Sequence, residues 1–245
     1  NLPGSICRFK SRVPSQEALS IQQTTTGLIP DMKIAIAPVI HLLHEAPHAI
    51  LSTHSTQMPG FPYGTAVPLV LDESHQPIFL ISALAEHTKN LLTDARASLA
   101  IVKPGKTNIQ DAARLTLIGR AEPFTPAPEL VQRYLRYQPD AEQYLQLDFM
   151  FFQLKPERAR FIGGVGKMGW LEGQEWDNTA RISLPEEVVL LNQATSETPK
   201  SGQIMGIDAF GIDYATNDAK NRLRFDLPQT FDSLQARLSE LMARL

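Results

Sequence analysis

Between Phe61 and Phe124 the chain sets strand-length apolar runs on either side of one short helical pattern, and few folds accommodate that order. Residues 64–71 are apolar and partly β-branched, 72–77 form a polar turn closed by proline, and 78–82 are a second apolar run. Two such runs across a short turn predict a β-hairpin. Leu84, Leu91 and Leu92 then recur near helical spacing, which predicts a short helix over 84–94. Residues 97–102 and 114–124 return to the strand pattern after a polar loop at 103–111.

The helix entry carries the densest chemistry. Ser82 ends a strand and is followed within eight residues by His87, Thr88, Lys89 and Asn90. A strand end feeding a helix N-terminus presents free N–H groups, and hydroxyl and cationic side chains around it suit a phosphate. The same residues also suit a plain capped helix with a solvated face. Arg114 and Arg120 share one strand face by period two. That face meets either an anion, which arginine suits, or solvent. All six histidines lie between His41 and His87. His54, in S-T-H-S, either lines a pocket or hydrogen-bonds within its loop. His41 and His44 stand at i, i+3 on a predicted helix, and two ligands alone do not make a metal site. With no H-E-x-x-H and no Cys/His cluster, no metal site is expected. Neither G-x-S-x-G nor a P-loop is present, although 163–170 is glycine-rich and closes on Trp170.

Several motifs occur together in one order: LSTHS at 51–55, PGFPYGTAVP at 59–68, ISALAEHTKN at 81–90, RLTLIGRA at 114–121, LDFMFFQLKPERARFIGG at 147–164 and GVGKMGW at 164–170. In this the chain resembles the pyridoxamine 5'-phosphate oxidase-related split barrels that bind FMN, and within them the haem-utilisation (HugZ-like) branch. The resemblance covers roughly residues 35–175. It implies a mostly β, α+β protein: a six-stranded antiparallel split barrel with flanking helices, then a small C-terminal α+β domain. It also implies a homodimer with a small-molecule ligand at the subunit interface. Under the FMN reading, Ser82, His87, Thr88, Lys89, Asn90 and Arg114 hold the phosphate, while Gly64, Thr65 and Ala66 offer backbone to the ring. The chain would then be an FMN-dependent oxidoreductase. Under the haem reading, His54 or His87 is nearest the iron and the activity is haem oxygenase-like. The chain departs from that branch in having no histidine after His87, so its tail offers no histidine ligand, and Tyr214 is an alternative there. A third reading is a non-catalytic dimeric binding module that has lost its cofactor.

The remaining chain divides into a polar arm at 1–30, expected to be extended or disordered with a short helix near 16–22, a barrel domain at 31–176 and a small domain at 177–245. Pro38 predicts a break in a helix over 31–44. Strands are expected at 49–53, 149–154 and 158–162, the last two parted by a K-P-E turn. Helical segments are expected at 126–138, 139–147 and 231–245. Residues 192–202 read as a linker or loop, followed by strands at 204–214 and 222–227. A net charge of −3 argues against a nucleic-acid partner. No apolar run is long enough to span a membrane, and residues 1–30 lack a hydrophobic leader block. The one cysteine, Cys7, cannot form an internal disulfide, which fits a reducing, cytoplasmic setting.

Overall fold

A computed structural model describes residues 34–103, 105, 107–164, 167–196, 203–216 and 219–245. The predicted arm at 1–30, with Cys7, lies outside them. Helix α1 (Ala37–Glu45) opens the described chain. Pro38 does not break it. It occupies the first turn, where a missing N–H costs no intrahelical bond.

Strand β1 (His48–His54) pairs antiparallel with β2 (Pro62–Pro68), in the register Ile50 to Ala66 and His54 to Pro62. This corrects the predicted hairpin. Only the two-residue β3 (Val70–Leu71) pairs with β4 (Pro77–Ser82). The 62–68 run folds back on β1 instead and forms the sheet edge. Proline lacks a ladder donor and is tolerated at edges, and this strand begins and ends on one. Helix α2 (Glu86–Thr93) follows, then β5 (Arg96–Val102), β6 (Arg114–Pro123), α3 (Pro128–Tyr137) and a 3-10 segment, Pro139–Gln146.

Strand β7 (Phe149–Ile162) is continuous where a K-P-E turn was expected. The β6–β7 register shifts between Ile118, opposite Arg158, and Gly119, opposite Pro156, so a bulge at Glu157 of β7 absorbs the irregularity beside Pro156 and the strand need not end. Strand β8 (Met168–Glu172) pairs with β7, and the guanidinium of Arg158 stacks 4.2 Å from the Trp170 ring. The sheet order is β2-β1-β5-β6-β7-β4-β3, with β8 beside β7: eight strands where six were expected.

Helices α4 (Gly173–Asp177) and α5 (Leu184–Ser196) lead to a second sheet of β9 (Gln203–Asp208), β10 (Gly211–Thr216) and β11 (Ala219–Arg224), closed by α6 (Phe231–Met242). The predicted linker at 192–202 is therefore helical through Ser196, and 197–202 lie outside the described residues. The predicted strand at 204–214 is a hairpin. Asp208 Oδ1 accepts from Phe210 N at 2.7 Å and makes the turn.

Burial alternates along β1, β5 and β6, as one covered and one open sheet face require. Phe79 on β4 stands opposite Phe152 on β7, and both are fully buried. Each contributes roughly 1.5–3 kcal/mol of burial. The same apolar cluster continues through Val39 and Leu43 of α1 to Ile207, Ile212 and Leu238.

Candidate functional site

The predicted phosphate residues separate into two groups at α2. Thr88 and Asn90 are fully buried. Thr88 Oγ1 donates to the Ser82 carbonyl at 2.6 Å. Asn90 Oδ1 accepts from Thr56 N and Thr56 Oγ1, both at 2.9 Å, and its Nδ2 donates to Thr53 Oγ1 at 3.0 Å. Both side chains are turned inward: Asn90 holds the β1–β2 loop against α2, and Thr88 ties the helix back to the end of β4. Ser82 Oγ accepts from Leu84 N at 3.3 Å, a local turn contact. Lys89 is exposed, and His87 is half-buried with its Nε2 enclosed and without a hydrogen-bond partner. Burial pushes the His87 imidazole below its usual pKa. Replacing Asn90 with alanine is expected to cost about 1–3 kcal/mol, because Thr56 N and Thr53 Oγ1 lose their partner. Hydrogen exchange should quicken first at residues 55–61.

The open face of the large sheet carries the other candidates. Gly64 and Ala66 of β2 are exposed on it, level with Ser52 and Ile50 of β1. Thr65 has the opposite parity and shares the inner face with Leu51. Arg114 and Arg120 do share the open face, with Thr116 and Ile118 between them. Arg114 NH1 donates to the Ile109 carbonyl at 2.8 Å, and Arg120 pairs with Glu122. Neither approaches the α2 residues through any hydrogen bond among the described residues.

On this face a cleft of about 400 Å³ is lined by His54, Arg96, Ser52, Ser98, Ile118 and Glu157, among others. Cofactor sites begin near this size. Arg96 meets Asp94 through two donors, Nε at 2.9 Å and NH2 at 2.5 Å, and these bonds hold the Asp94 carboxyl well below its usual range. Arg96 was not singled out from sequence, since only the fold carries it beside His54. Ile50 (44% exposed), Ile118 (42%) and Val102 (45%) extend the face as an apolar surface around the cleft.

A second polar cluster, also not anticipated, is fully enclosed. His41 and His44 share one face of α1, as their spacing suggests, and it meets the three-stranded sheet. His44 Nδ1 lies 2.8 Å from Asp213 Oδ2 and His44 Nε2 lies 3.1 Å from His75 Nδ1. His75 Nε2 lies 3.2 Å from the Ala180 carbonyl oxygen. Arg222 donates to Asp208 at 2.9 Å and to Asp213 at 2.8 Å, and the Tyr137 hydroxyl donates to Asp213 at 2.7 Å. Burial pushes His44 down to about 3 and lowers His75, so both imidazoles are neutral. Burial opposes charge on Asp208 and Asp213, but the Arg222 guanidinium outweighs it and holds both carboxyls below their usual range.

Among the described residues no helix is long and apolar enough to cross a membrane. The chloroplastic non-canonical heme oxygenase HOZ of Arabidopsis thaliana is 33% identical over 118 residues, 47% of this chain and 36% of that protein. The chain thus spans about a third of the length of the curated relative it matches. Among solved structures, Atu2129 of Agrobacterium tumefaciens str. C58, a protein of unknown function, superposes with a TM-score of 0.67 at 25% identity, covering 88% of this chain and all of that one. A heme binding protein from Mycobacterium smegmatis superposes with a TM-score of 0.54 at 26% identity, covering 86% and 98%. The pattern that defines the CREG β-barrel matches residues 35–178, from just before α1 to just past α4. That match spans more than half of the chain: the chain belongs to the CREG β-barrel family, a split-barrel group related to the pyridoxamine 5'-phosphate oxidases.

Proposed function

We propose that this chain binds haem on the open face of its large sheet, as a homodimer whose second copy closes over the ligand. The observation that carries this reading is the cleft of about 400 Å³ holding His54 beside Arg96 within an apolar face. Haem needs a flat apolar bed, an axial ligand and cations for its two propionates. Ile50, Ile118, Gly64 and Ala66 would supply the bed, His54 a nitrogen for the iron, and Arg96 or Arg120 the cation. An apolar sheet face of this extent is rarely left open in a soluble protein, which supports a second copy there. The likeness to a heme oxygenase and to a heme binding protein supports the same choice. Bound haem would supply an iron that reacts with oxygen, and the protein would set its ligand and surroundings.

His54→Ala is expected to weaken haemin binding at least tenfold and to shift or abolish the Soret band, with the far-ultraviolet spectrum unchanged. An unaltered Soret titration in that variant would remove His54 from the site. A second reading, FMN held at α2, is favoured by one observation: His87 Nε2 is enclosed with no partner. It requires flavin bands that weaken in His87→Ala and persist in His54→Ala. Binding of neither haemin nor FMN by the native dimer would overturn both readings and leave a binding module without a cofactor.

A further inference from the structure

We propose that His44 Nε2, His75 Nδ1 and Asp208 bind a divalent transition-metal ion of the zinc class, at the seam between α1, the β3–β4 turn and the three-stranded sheet. One candidate ligand atom from each of the three residues lies within 4.8 Å of the others, all three residues are buried, and Asp208 Oδ2 stands 3.6 Å from the His44 ring at Nδ1. Proton placement carries the argument. The Ala180 carbonyl can only accept, so the hydrogen on His75 sits at Nε2. Asp213, ionised beside Arg222 and already accepting from Tyr137, can only accept, so the hydrogen on His44 sits at Nδ1. A neutral imidazole carries one hydrogen. His44 Nε2 and His75 Nδ1 therefore present lone pairs to each other across 3.1 Å. That contact is repulsive unless a cation lies between them.

The surroundings are those of ligating histidines. Metal-bound imidazoles regularly donate their other N–H to a carboxylate or a backbone carbonyl, and here one does each. Two nitrogens on a tetrahedral zinc ion stand roughly 3.3 Å apart, given Zn–N bonds of about 2.0–2.1 Å, so a movement of a few tenths of an ångström admits the ion. Asp208 takes the third position. Arg222 donates to both of its oxygens at 2.9 Å. Oδ1 also accepts from Phe210 N, so Oδ2 is the oxygen that keeps a lone pair for the ion, and the guanidinium orients the carboxylate as an outer partner would. The fourth position falls to water or a small anion, as in zinc sites with three protein ligands. The rival cation is a proton, which would make the pair an imidazole–imidazolium, and metal uptake by the native chain distinguishes the two.

Untagged full-length protein, stripped with a chelator, is titrated with Zn²⁺ by calorimetry and with Co²⁺ by absorption. The expected result is about one equivalent bound per chain, tetrahedral cobalt bands and a thermal midpoint that rises with Zn²⁺. His75→Gln should lose at least tenfold in affinity, while His54→Ala, away from the seam, should keep it. Should His75→Gln fail to fold, Asp208→Asn serves as the second variant and should bind more weakly than the native chain. The proposal is overturned if the native chain takes up no Zn²⁺ with an unchanged thermal midpoint, or if a seam variant binds as the native chain does. The histidines would then share a proton. Zinc uptake is read without haem, so its failure is distinguishable from failure of the haem reading.

Discussion

Glu187→Ala is expected to destabilise the protein by about 3–5 kcal/mol, the range for removing one partner of a buried ion pair. Glu187 on α5 is 1% exposed, and its carboxylate gathers three donors from two other elements. Arg133 NH1 of α3 donates to Oε1, Arg136 NH2 of α3 donates to Oε2 at 3.1 Å, and Ile207 N of β9 donates to Oε1 at 3.1 Å. Arg133 also donates from Nε to the Leu71 carbonyl at 2.8 Å. Alanine would leave a buried guanidinium with no counter-charge and a buried backbone N–H with no acceptor. The cost comes mainly from that uncompensated state and much less from net attraction in the native pair, because desolvation offsets most of the Coulomb energy. Two controls separate these contributions. A double replacement, Arg133→Met with Glu187→Leu, should recover most of the loss. Glu240→Ala breaks the exposed pair with Arg237 and should change stability by no more than about 1 kcal/mol. Urea denaturation of the four proteins measures all of this. A Glu187→Ala variant within 1 kcal/mol of the native chain would mean that water reaches Arg133.

Glu187 also illustrates what the sequence made legible. Ser183-Leu184-Pro185-Glu186 is a helix-start pattern, with proline in the first turn and glutamate at the third helical position. In the structure Glu186 Oε2 accepts from Ser183 N at 2.8 Å and from Ser183 Oγ at 2.7 Å. The pattern was readable, but the polar composition that follows suggested a linker and hid α5. The Pro38 misreading is of the same kind: the residue was noted and its place within the helix was not. Strand runs at 97–102 and 114–124 were legible because one buried face imposes strict alternation on β5 and β6. Pairing was less so. Nothing local in 62–68 says that it folds back onto β1, and only its flanking prolines mark it as an edge.

The site was legible to a different depth at each place. The S-x-x-A-x-H-T-x-N pattern located α2 correctly, but residue type cannot report which way a side chain turns. Asn90 points inward to polar groups of the segment 53–56, and Thr88 to the Ser82 carbonyl. The cleft around His54 draws on β1, β2, β5, β6 and β7, so no single stretch reveals it. The histidine cluster is more dispersed still. His44 and Asp213 are 169 residues apart, and its ligands come singly from a helix, a turn and a strand. Fixed-spacing metal motifs register sites built on one hairpin or helix and pass over one assembled in this way.

The second large effect is expected at Gly119, where alanine should cost about 3 kcal/mol or more, at or beyond the upper end for overpacking. A Cβ there would stand 2.0 Å from the Lys155 carbonyl oxygen and 3.1 Å from Pro156 Cα. Both obstacles are backbone atoms, so no rotamer change relieves them. Gly119 faces the bulge of β7, paired with Pro156, and the contact can open only if two central strands move apart. Those strands also carry Ile118 and Glu157 into the cleft that holds His54. The variant should therefore lose stability and haemin affinity together. Gly64→Ala separates the two quantities. Its Cβ would meet only Ile50 Cγ2 at 3.8 Å and Ser52 Oγ at 3.9 Å, ordinary contacts, so stability should change by less than about 0.5 kcal/mol. It adds a methyl to the open face, however, and if haem or a second copy lies there, binding should weaken while the thermal midpoint stays. Matched thermal melts and haemin titrations of the two variants decide this. A Gly64→Ala protein that keeps both native stability and native haemin affinity would show that the ligand does not lie on that edge of the sheet.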